Sequence, residues 1–115
     1  MNENLFTLMW TQQMLLTANL LVKWTMPIGA TLIHVSAVCS TAAAMTVMVG
    51  ISTDTDSVIA AFEAGQSAVP VVKDLGDFSE PHFNAGDILV MTVDFNGDAG
   101  TAGTNPCVVL TFLAG

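Results

Sequence analysis

The segment FNAGDILVMTVDFNG, residues 83–97, decides the fold, together with PCVVLTFL, residues 106–113, which follows after a polar loop. A turn signal, Ala85-Gly86-Asp87, opens a run in which apolar and polar residues alternate, and Asn96-Gly97 closes that run. Alternation with a period of two indicates a β-strand with one buried face, and Asn-Gly is a strong signal for a tight turn. The two runs therefore predict consecutive antiparallel strands of an all-β domain.

Turn signals recur about every ten residues through the rest of the chain, which is typical of a β-sandwich or barrel. We predict strands over residues 20–26, 31–39, 45–51 and 68–73, and a short strand or helical turn over 57–62. Pro70 suggests an edge position for the run over 68–73, because proline cannot donate to a central ladder. The two faces expected for the strand over 31–39 are Ile33, Val35, Ala37 and Cys39 on one side, and Leu32, His34, Ser36 and Val38 on the other.

The first 18 residues are the hardest to assign, and we treat them as an N-terminal arm or first strand that precedes the main domain of residues 19–115. A near-helical spacing of leucine and methionine competes here with an extended arm and an edge strand, since no capping residue starts a helix. An arm would bind across a neighbouring subunit, whereas a first strand would pack on the chain's own core. The residues expected to contact a capsid or a neighbouring subunit are Leu5, Phe6, Leu8, Met9, Trp10, Met14 and Leu15.

The composition suggests that another protein covers part of the surface. The chain has 115 residues, enough for one domain with a single core. Hydrophobic residues make up 52% of the chain and charged residues only 10%, whereas charged residues make up about a quarter of an ordinary globular domain. Self-association or docking onto a larger body is the simplest explanation of this apolar excess.

The charge balance excludes several classes of partner. Ten carboxylates stand against Lys23 and Lys73, and the formal net charge is −8. Nucleic-acid binding and polybasic membrane contacts both need an excess of cations, so we expect neither partner. Polar residues also interrupt each apolar run before it reaches the roughly 20 residues of a membrane span. We interpret residues 1–22 as mature sequence, made in a cytoplasm.

The reactive side chains do not form a catalytic pattern. His34 lies in a predicted strand and His82 in a predicted loop, and neither has a predicted nucleophile at a strained turn. Cys39 and Cys107 lie in separate predicted strands beside valines, which favours small buried hydrophobic residues over a catalytic or metal-binding pair. A disulfide between them stays open, because it requires that the two strands face each other. We expect no enzymatic activity and no cofactor.

Two groups of side chains are candidates for ligand binding. Asp94, Asn96 and Asp98 carry oxygens at alternate positions, as a hard cation requires, and Asp54 and Asp56 could join them. This run lacks the glycine and glutamate that a calcium loop of the EF-hand type needs, so a loop between strands is the favoured interpretation. The aromatic residues that could form a sugar-stacking platform are Trp10, Trp24, Phe78 and Phe83, although Trp24 alternates in phase with core residues.

Residues 23–115 resemble a family of small jelly-roll virion domains from tailed bacteriophages. The resemblance rests on a W-x-x-P element at residues 24–27, a strand at 31–37, an F-x-A-G-D-x-L element at 83–89 and a final apolar strand at 108–112. It covers about four-fifths of the chain. It implies an antiparallel β-sandwich of jelly-roll type with about eight strands.

The resemblance also implies a structural role in a virion, a homotrimer and no enzymatic activity. Similar domains serve as capsid decoration (cement) proteins, head fibres and parts of tail fibres. The most specific expectation is a decoration protein on the capsid surface, which binds assembled major capsid protein and stabilises the head by bridging neighbouring subunits. The alternative that stays open is a receptor- or glycan-binding jelly-roll module of a phage tail or fibre.

Overall fold

The computed structural model describes residues 4–40, 42–97 and 100–115 of the chain. Within these residues the chain forms nine β-strands and one short 3₁₀ helix, Leu75–Asp77. The strands are β1 Leu5–Thr11, β2 Leu20–Thr25, β3 Ala30–Val38, β4 Thr46–Ile51, β5 Asp54–Glu63, β6 Val71–Asp74, β7 His82–Phe83, β8 Ile88–Asp94 and β9 Cys107–Ala114. They form two antiparallel sheets packed as a sandwich, which confirms the predicted all-β fold.

The strands pair as in the rolled-up hairpin of a jelly roll. β4 and β5 form a hairpin in the middle of the chain, and each earlier strand pairs with a later one: β3 with β6 and β7, β2 with β8, and β1 with β9. The first sheet has the order β1-β9-β3-β6, with β7 also paired to β3, and the second sheet has the order β2-β8-β4-β5. If β6 and β7 count as one interrupted strand, the described sandwich has the eight strands of a jelly roll.

The core lies between the sheets, and the two segments that decide the fold supply its middle. Six residues that alternate along β8 and β9 are fully buried: Leu89, Met91, Val93, Val108, Leu110 and Phe112. The ring of Phe112 stacks on that of Phe6 with 5.0 Å between centroids, and Phe83 meets Phe112 edge-on at 6.0 Å. Phe112 of β9 therefore contacts both β1 and β7 within the first sheet. Aromatic pairs in these geometries add to the free energy of burial.

A β-bulge in β3 changes the faces predicted for that strand. The register of β3 against β9 shifts between Leu32 and His34, so β3 accommodates one extra residue there. Leu32 is consequently fully buried together with Val35 and Ala37, whereas Ile33 is only half-buried. The prediction that Ile33 shares the face of Val35 and that Leu32 lies on the other face was wrong, because a period of two fails across a bulge.

β5, Asp54–Glu63, is longer than the short strand or helical turn predicted over residues 57–62. β5 begins at Asp54 and leaves Ser52 and Thr53 as the turn, because the β4–β5 pair contains two register shifts that accommodate extra residues of β5. Those extra residues pass so close to Gly50 that a side chain there would collide with the backbone of Asp54. The loop predicted around His82 also contains a strand, since His82 and Phe83 form β7.

The N-terminal segment forms an edge strand and then crosses to the other sheet. β1 pairs with β9 and lies at the edge of the first sheet, while β2 begins the second sheet at Leu20. Between them, Leu16 is buried and its backbone N–H donates to the carbonyl of Gly103 over 2.8 Å. Of the alternatives left open for residues 1–18, the structure places residues 5–11 as a first strand on the chain's own core. Residues 1–3 lie outside the described residues.

Candidate interface

The outer face of the first sheet lacks charged side chains over three adjacent strands. β1, β9 and β3 are neighbours in this sheet, and none of their residues is Asp, Glu, Lys or Arg. The formal charge of −8 is therefore carried by the other strands, the loops and the residues before β1. A face without charges costs little to desolvate when another protein covers it, because burying an ion costs several kcal/mol.

The hydrogen-bond register aligns the outward side chains of these strands in four rows. Read from β1 across β9 to β3, the rows are Leu5-Leu113-Thr31, Thr7-Thr111-His34, Met9-Val109-Ser36 and Thr11-Cys107-Val38. We call these side chains the uncharged face. Its large apolar members are well exposed, since Leu5 has 54% of its surface accessible, Met9 61% and Leu113 40%. The rows form a continuous surface, mainly of leucine, methionine, valine and small hydroxyl side chains, that is suited to contact with another protein.

The seven residues predicted to contact a capsid or a neighbouring subunit divide into two sets. The exposed set consists of Leu5 and Met9 on the uncharged face and of Met14 and Leu15 in the segment after β1. The other three, Phe6, Leu8 and Trp10, are half-buried and pack against the core. This division follows from the strand structure of β1, in which successive side chains point to opposite faces.

Met14 is held in an unusual backbone conformation at the end of this segment. Its φ angle is 76°, in the left-handed region that non-glycine residues rarely adopt. The N–H of Met14 donates to Oδ1 of Asn105 over 2.6 Å, and the N–H of Asn105 donates back to the Met14 carbonyl over 3.0 Å. These two hydrogen bonds hold the segment after β1 against the loop before β9, so they fix the position of the Met14 backbone while its side chain is exposed.

Sequence reasoning missed the part of the uncharged face that β9 and β3 supply, above all Val109 and Leu113. A signal was present, because the segments 5–11, 30–38 and 107–114 each lack charged residues. The segments lie far apart in the chain, however, and only the topology places β9 between β1 and β3.

The candidate cation ligands do not assemble into a site among the residues described. Asp94 ends β8, and Asn96 and Gly97 lie in the following turn, where Gly97 has a φ angle of 58°. Asp98 lies outside the described residues. In the part of the chain that the structure describes, no group of three or more His, Cys, Asp or Glu side chains could hold a metal ion. The positive φ of Gly97 agrees with the turn that Asn96-Gly97 indicated.

Asp54 and Asp56 concentrate negative charge at the start of β5, in the second sheet. A hydrogen bond to the Asp56 side chain raises the pKa of Asp54 above its usual range, and the nearby charges of Asp56 and Glu80 raise this pKa further. The repulsion between neighbouring carboxylates favours the protonated form of Asp54. These residues belong to the opposite sheet from the uncharged face.

A groove of about 450 Å³ lies beside β5 at the open edge of the sandwich. Its lining includes Phe62 of β5, Lys73 of β6, and the carboxylates Asp56 and Asp77. The ammonium group of Lys73 lies over the ring of Phe62, 5.4 Å from its centroid. Because this cation–π contact covers one face of the ring, it competes with a sugar that would stack there.

The aromatic residues proposed as a stacking platform do not form one. Phe83 is fully buried, and Trp10, Trp24 and Phe78 are half-buried and pack against the core. The alternation around Trp24 predicted a core position for it, and the side chain packs against the core while remaining half-buried. These rings are used for packing between the sheets.

The two cysteines lie on opposite sides of the first sheet and are free. Cys107 belongs to the uncharged face, whereas Cys39, just after β3, is buried with its Sγ 3.9 Å from Sδ of Met45. Their side chains point in opposite directions, so the disulfide left open by the sequence does not form. Burial raises the pKa of the Cys39 thiol, which keeps it protonated and unreactive.

Each histidine lies opposite a threonine on the neighbouring strand, and neither lies opposite a serine or a cysteine. His34 of β3 lies opposite Asp74 of β6 and Thr111 of β9, and His82 of β7 lies opposite Thr31. The described arrangement gives no reason to assign either imidazole a role as a catalytic base.

Comparison with known proteins supports the fold. No protein-family model and no curated protein matches the chain. Among solved structures, a chain in the cyanophage Pam1 capsid asymmetric unit is similar, with a TM-score of 0.52 at 15% sequence identity. The match covers 98% of this chain and 86% of that chain, so it extends over nearly the whole of both. At this identity the likeness establishes a shared fold.

None of the helical structure in residues 4–40, 42–97 and 100–115 is long and apolar enough to cross a bilayer.

Proposed function

We propose that this protein is a structural protein of a bacteriophage virion, associated with the capsid, and that it acts as a decoration (cement) protein. The observation that carries the proposal is the likeness of nearly the whole chain to a chain of the Pam1 capsid asymmetric unit. Because most of both chains is aligned, the comparison is between two small domains of similar length. The W-x-x-P element at residues 24–27 and the F-x-A-G-D-x-L element at residues 83–89, which resemble those of bacteriophage virion domains, support the same proposal.

The uncharged face is the surface that we assign to contact with the assembled major capsid protein. Its exposed apolar residues, among them Leu5, Met9 and Leu113, would leave water on docking. Each Å² of apolar surface removed from water contributes roughly 25 cal/mol. The acidic start of β5 lies in the other sheet and would remain hydrated. The segregation of charge therefore favours one orientation of the domain on the shell.

A protein of this kind stabilises a capsid through binding free energy. If it contacts two neighbouring shell subunits, separating those subunits also requires breaking its own contacts. A ligand that binds only the assembled state stabilises that state by about 2.7 kcal/mol when present at 100 times its dissociation constant. The rigid sandwich suits this task because its strands are tied into two ordered sheets.

The oligomer that we propose is a homotrimer, located at three-fold or quasi-three-fold junctions of the capsid surface and made in the host cytoplasm. The support is the resemblance to trimeric virion domains and the excess of apolar residues in the chain. In a trimer, each copy would present its uncharged face to the surrounding shell subunits. No cofactor or catalytic residue enters this proposal.

The receptor- or glycan-binding alternative receives less support from the described residues. A sugar site requires an accessible flat ring with polar partners, and the groove beside β5 is the place where such a ring could be sought. Lys73 already covers one face of Phe62 there. The alternative would regain support if the purified protein bound host cells or sugars.

The direct test is co-sedimentation of the purified protein with empty capsids of the virus that encodes it. We expect saturable binding and an increase in the temperature at which the capsids open. Protein that stays in the supernatant at every concentration, without effect on capsid heat stability, would contradict the proposal. Binding to host cells in the same preparation would favour the receptor-binding alternative.

A further inference from the structure

β1 differs from the four other described strands that lie at the edges of the two sheets, β2, β5, β6 and β7. Edge strands are commonly protected against pairing by charges, proline, short length or bulges. β2 carries Lys23, and β5 carries Asp and Glu residues and two register shifts. β6 has four residues, follows Pro70 and carries Lys73 and Asp74, whereas β7 has only two residues and follows Pro81. β1 has seven residues in unbroken register, with no charge and no proline. It is the one described edge without such protection.

The free edge of β1 presents a regular set of backbone groups. The carbonyl of Asn4 accepts from the N–H of Ala114, and the N–H of Gln12 donates to the carbonyl of Pro106. Backbone groups of even-numbered residues thus point toward β9, and the alternation of an antiparallel ladder turns those of odd-numbered residues outward. The N–H and C=O groups of Leu5, Thr7, Met9 and Thr11 therefore line the free edge.

We propose that this edge pairs with β1 of a second copy of the chain, antiparallel, about a two-fold axis at Leu8. In this register Thr7 lies opposite Met9 of the second copy, and Leu5 lies opposite Thr11. All the odd-numbered residues then form hydrogen-bonded pairs, so every outward N–H and C=O of β1 has a partner. A shift by one residue would place outward groups opposite inward ones and lose these bonds.

The side chains of β1 match in the same register. Phe6 lies opposite Trp10 of the second copy, and Leu8 lies opposite Leu8, all on the inward side of the sheet. These three residues are only half-buried in one copy, because they lie at the open edge of the sandwich. Cross-strand pairs of large apolar and aromatic side chains contribute roughly 0.2–1 kcal/mol each. The pairing would therefore bury more of the Phe6, Leu8 and Trp10 side chains than a single copy does.

Charge selects a second β1 over the other edges of the same protein. Pairing of β1 with β2, β5 or β6 would place Lys23, Glu63 or Asp74 against a strand that has no opposite charge to offer. The β1–β1 contact brings two uncharged strands together and keeps the negative charges of the two copies in other strands and loops. Because each copy uses the same patch, one contact joins two copies and leaves neither of them a free β1 edge.

The pairing goes beyond the proposed capsid function and does not depend on it. A two-fold axis normal to the sheet turns both uncharged faces to the same side, which doubles the surface offered to a shell. It is also distinct from the three-fold contact of a trimer, so trimers linked through β1 would form a connected layer. Failure to bind capsids would leave the pairing intact, and failure of the pairing would leave capsid binding by single trimers intact.

Disulfide cross-linking tests the register directly. In a Cys107→Ser background, Leu8→Cys places the two thiols at a non-hydrogen-bonded pair, where Cα atoms lie roughly 4.5 Å apart, within the range of a disulfide. We expect a disulfide-linked dimer on mild oxidation of the purified protein. Thr7→Cys is the matched control, because diagonal positions lie roughly 8 Å apart, too far for a disulfide. A mixture of Thr7→Cys and Met9→Cys should give a mixed dimer.

A proline variant provides an independent readout. Thr7→Pro removes an outward N–H while leaving the ladder to β9 intact, so it should preserve the fold and abolish the cross-link in the Leu8→Cys protein. The proposal is overturned if Leu8→Cys gives no more dimer than Thr7→Cys. If Leu8→Cys fails to fold, the mixture of Thr7→Cys and Met9→Cys provides the test. Absence of the mixed dimer would then overturn the proposal.

Discussion

Phe112→Ala is expected to lower the free energy of unfolding by about 3–5 kcal/mol, the usual cost of truncating a fully buried phenylalanine. The ring of Phe112 is inaccessible to solvent and contacts Phe6 and Phe83 in two other strands of the first sheet. Its removal leaves a cavity where β1, β7 and β9 are joined. Urea denaturation followed by circular dichroism measures the loss as a lower midpoint with a similar slope.

Phe62→Ala is the matched control for this change. Phe62 is half-buried beside the groove, where Lys73 lies over its ring. Its truncation should cost roughly 1 kcal/mol, since less apolar surface returns to water and no enclosed cavity forms. An equal loss of stability in both variants would mean that Phe112 is not the centre of packing that its contacts indicate.

Met9→Glu is expected to weaken binding to empty capsids at least about 100-fold, because a carboxylate without a partner costs several kcal/mol to bury and each 1.4 kcal/mol is a factor of ten. Met9 is 61% exposed in the isolated chain, so the change should leave folding intact. Leu113→Glu, on the neighbouring strand β9, should act in the same way. Co-sedimentation titration gives the change in affinity, and thermal melting of each variant checks the fold.

Leu21→Glu is the control for the position of the new charge. Leu21 is 60% exposed, close to Met9, but it lies in β2 of the second sheet. We expect the Leu21→Glu variant to bind capsids with the same affinity as the unchanged protein. If Leu21→Glu lost binding while Met9→Glu retained it, the docking surface would be on the second sheet, contrary to the proposal.

The class of fold could be predicted from sequence because its signals are local. Alternation in residues 88–94 and 107–114, with turns at Gly86 and Asn96-Gly97, specifies strands without knowledge of their partners. The bulge at Leu32–His34 could not be predicted in this way, since the extra residue is defined by the register against β9. The full length of β5 could not be predicted either, because the polar residues at its start resemble a turn in sequence.

The candidate interface was only partly predictable. Leu5 and Met9, two of the residues predicted to contact a capsid or a neighbouring subunit, are exposed. The sequence could not separate them from Phe6, Leu8 and Trp10 without knowing that β1 is a strand. The contribution of Val109 and Leu113 depends on the position of β9 between β1 and β3. Charge-free segments distant in sequence become one surface only through the nested pairing of the jelly roll.

A cryo-EM map of capsids carrying this protein is the most direct test of the central claim. The account predicts density for the sandwich on the outside of the shell, with Met9, Val109 and Leu113 against shell subunits and with Asp54 and Asp56 toward solvent. A map in which the first sheet faces solvent, or in which the shell carries no density for the protein, would contradict it.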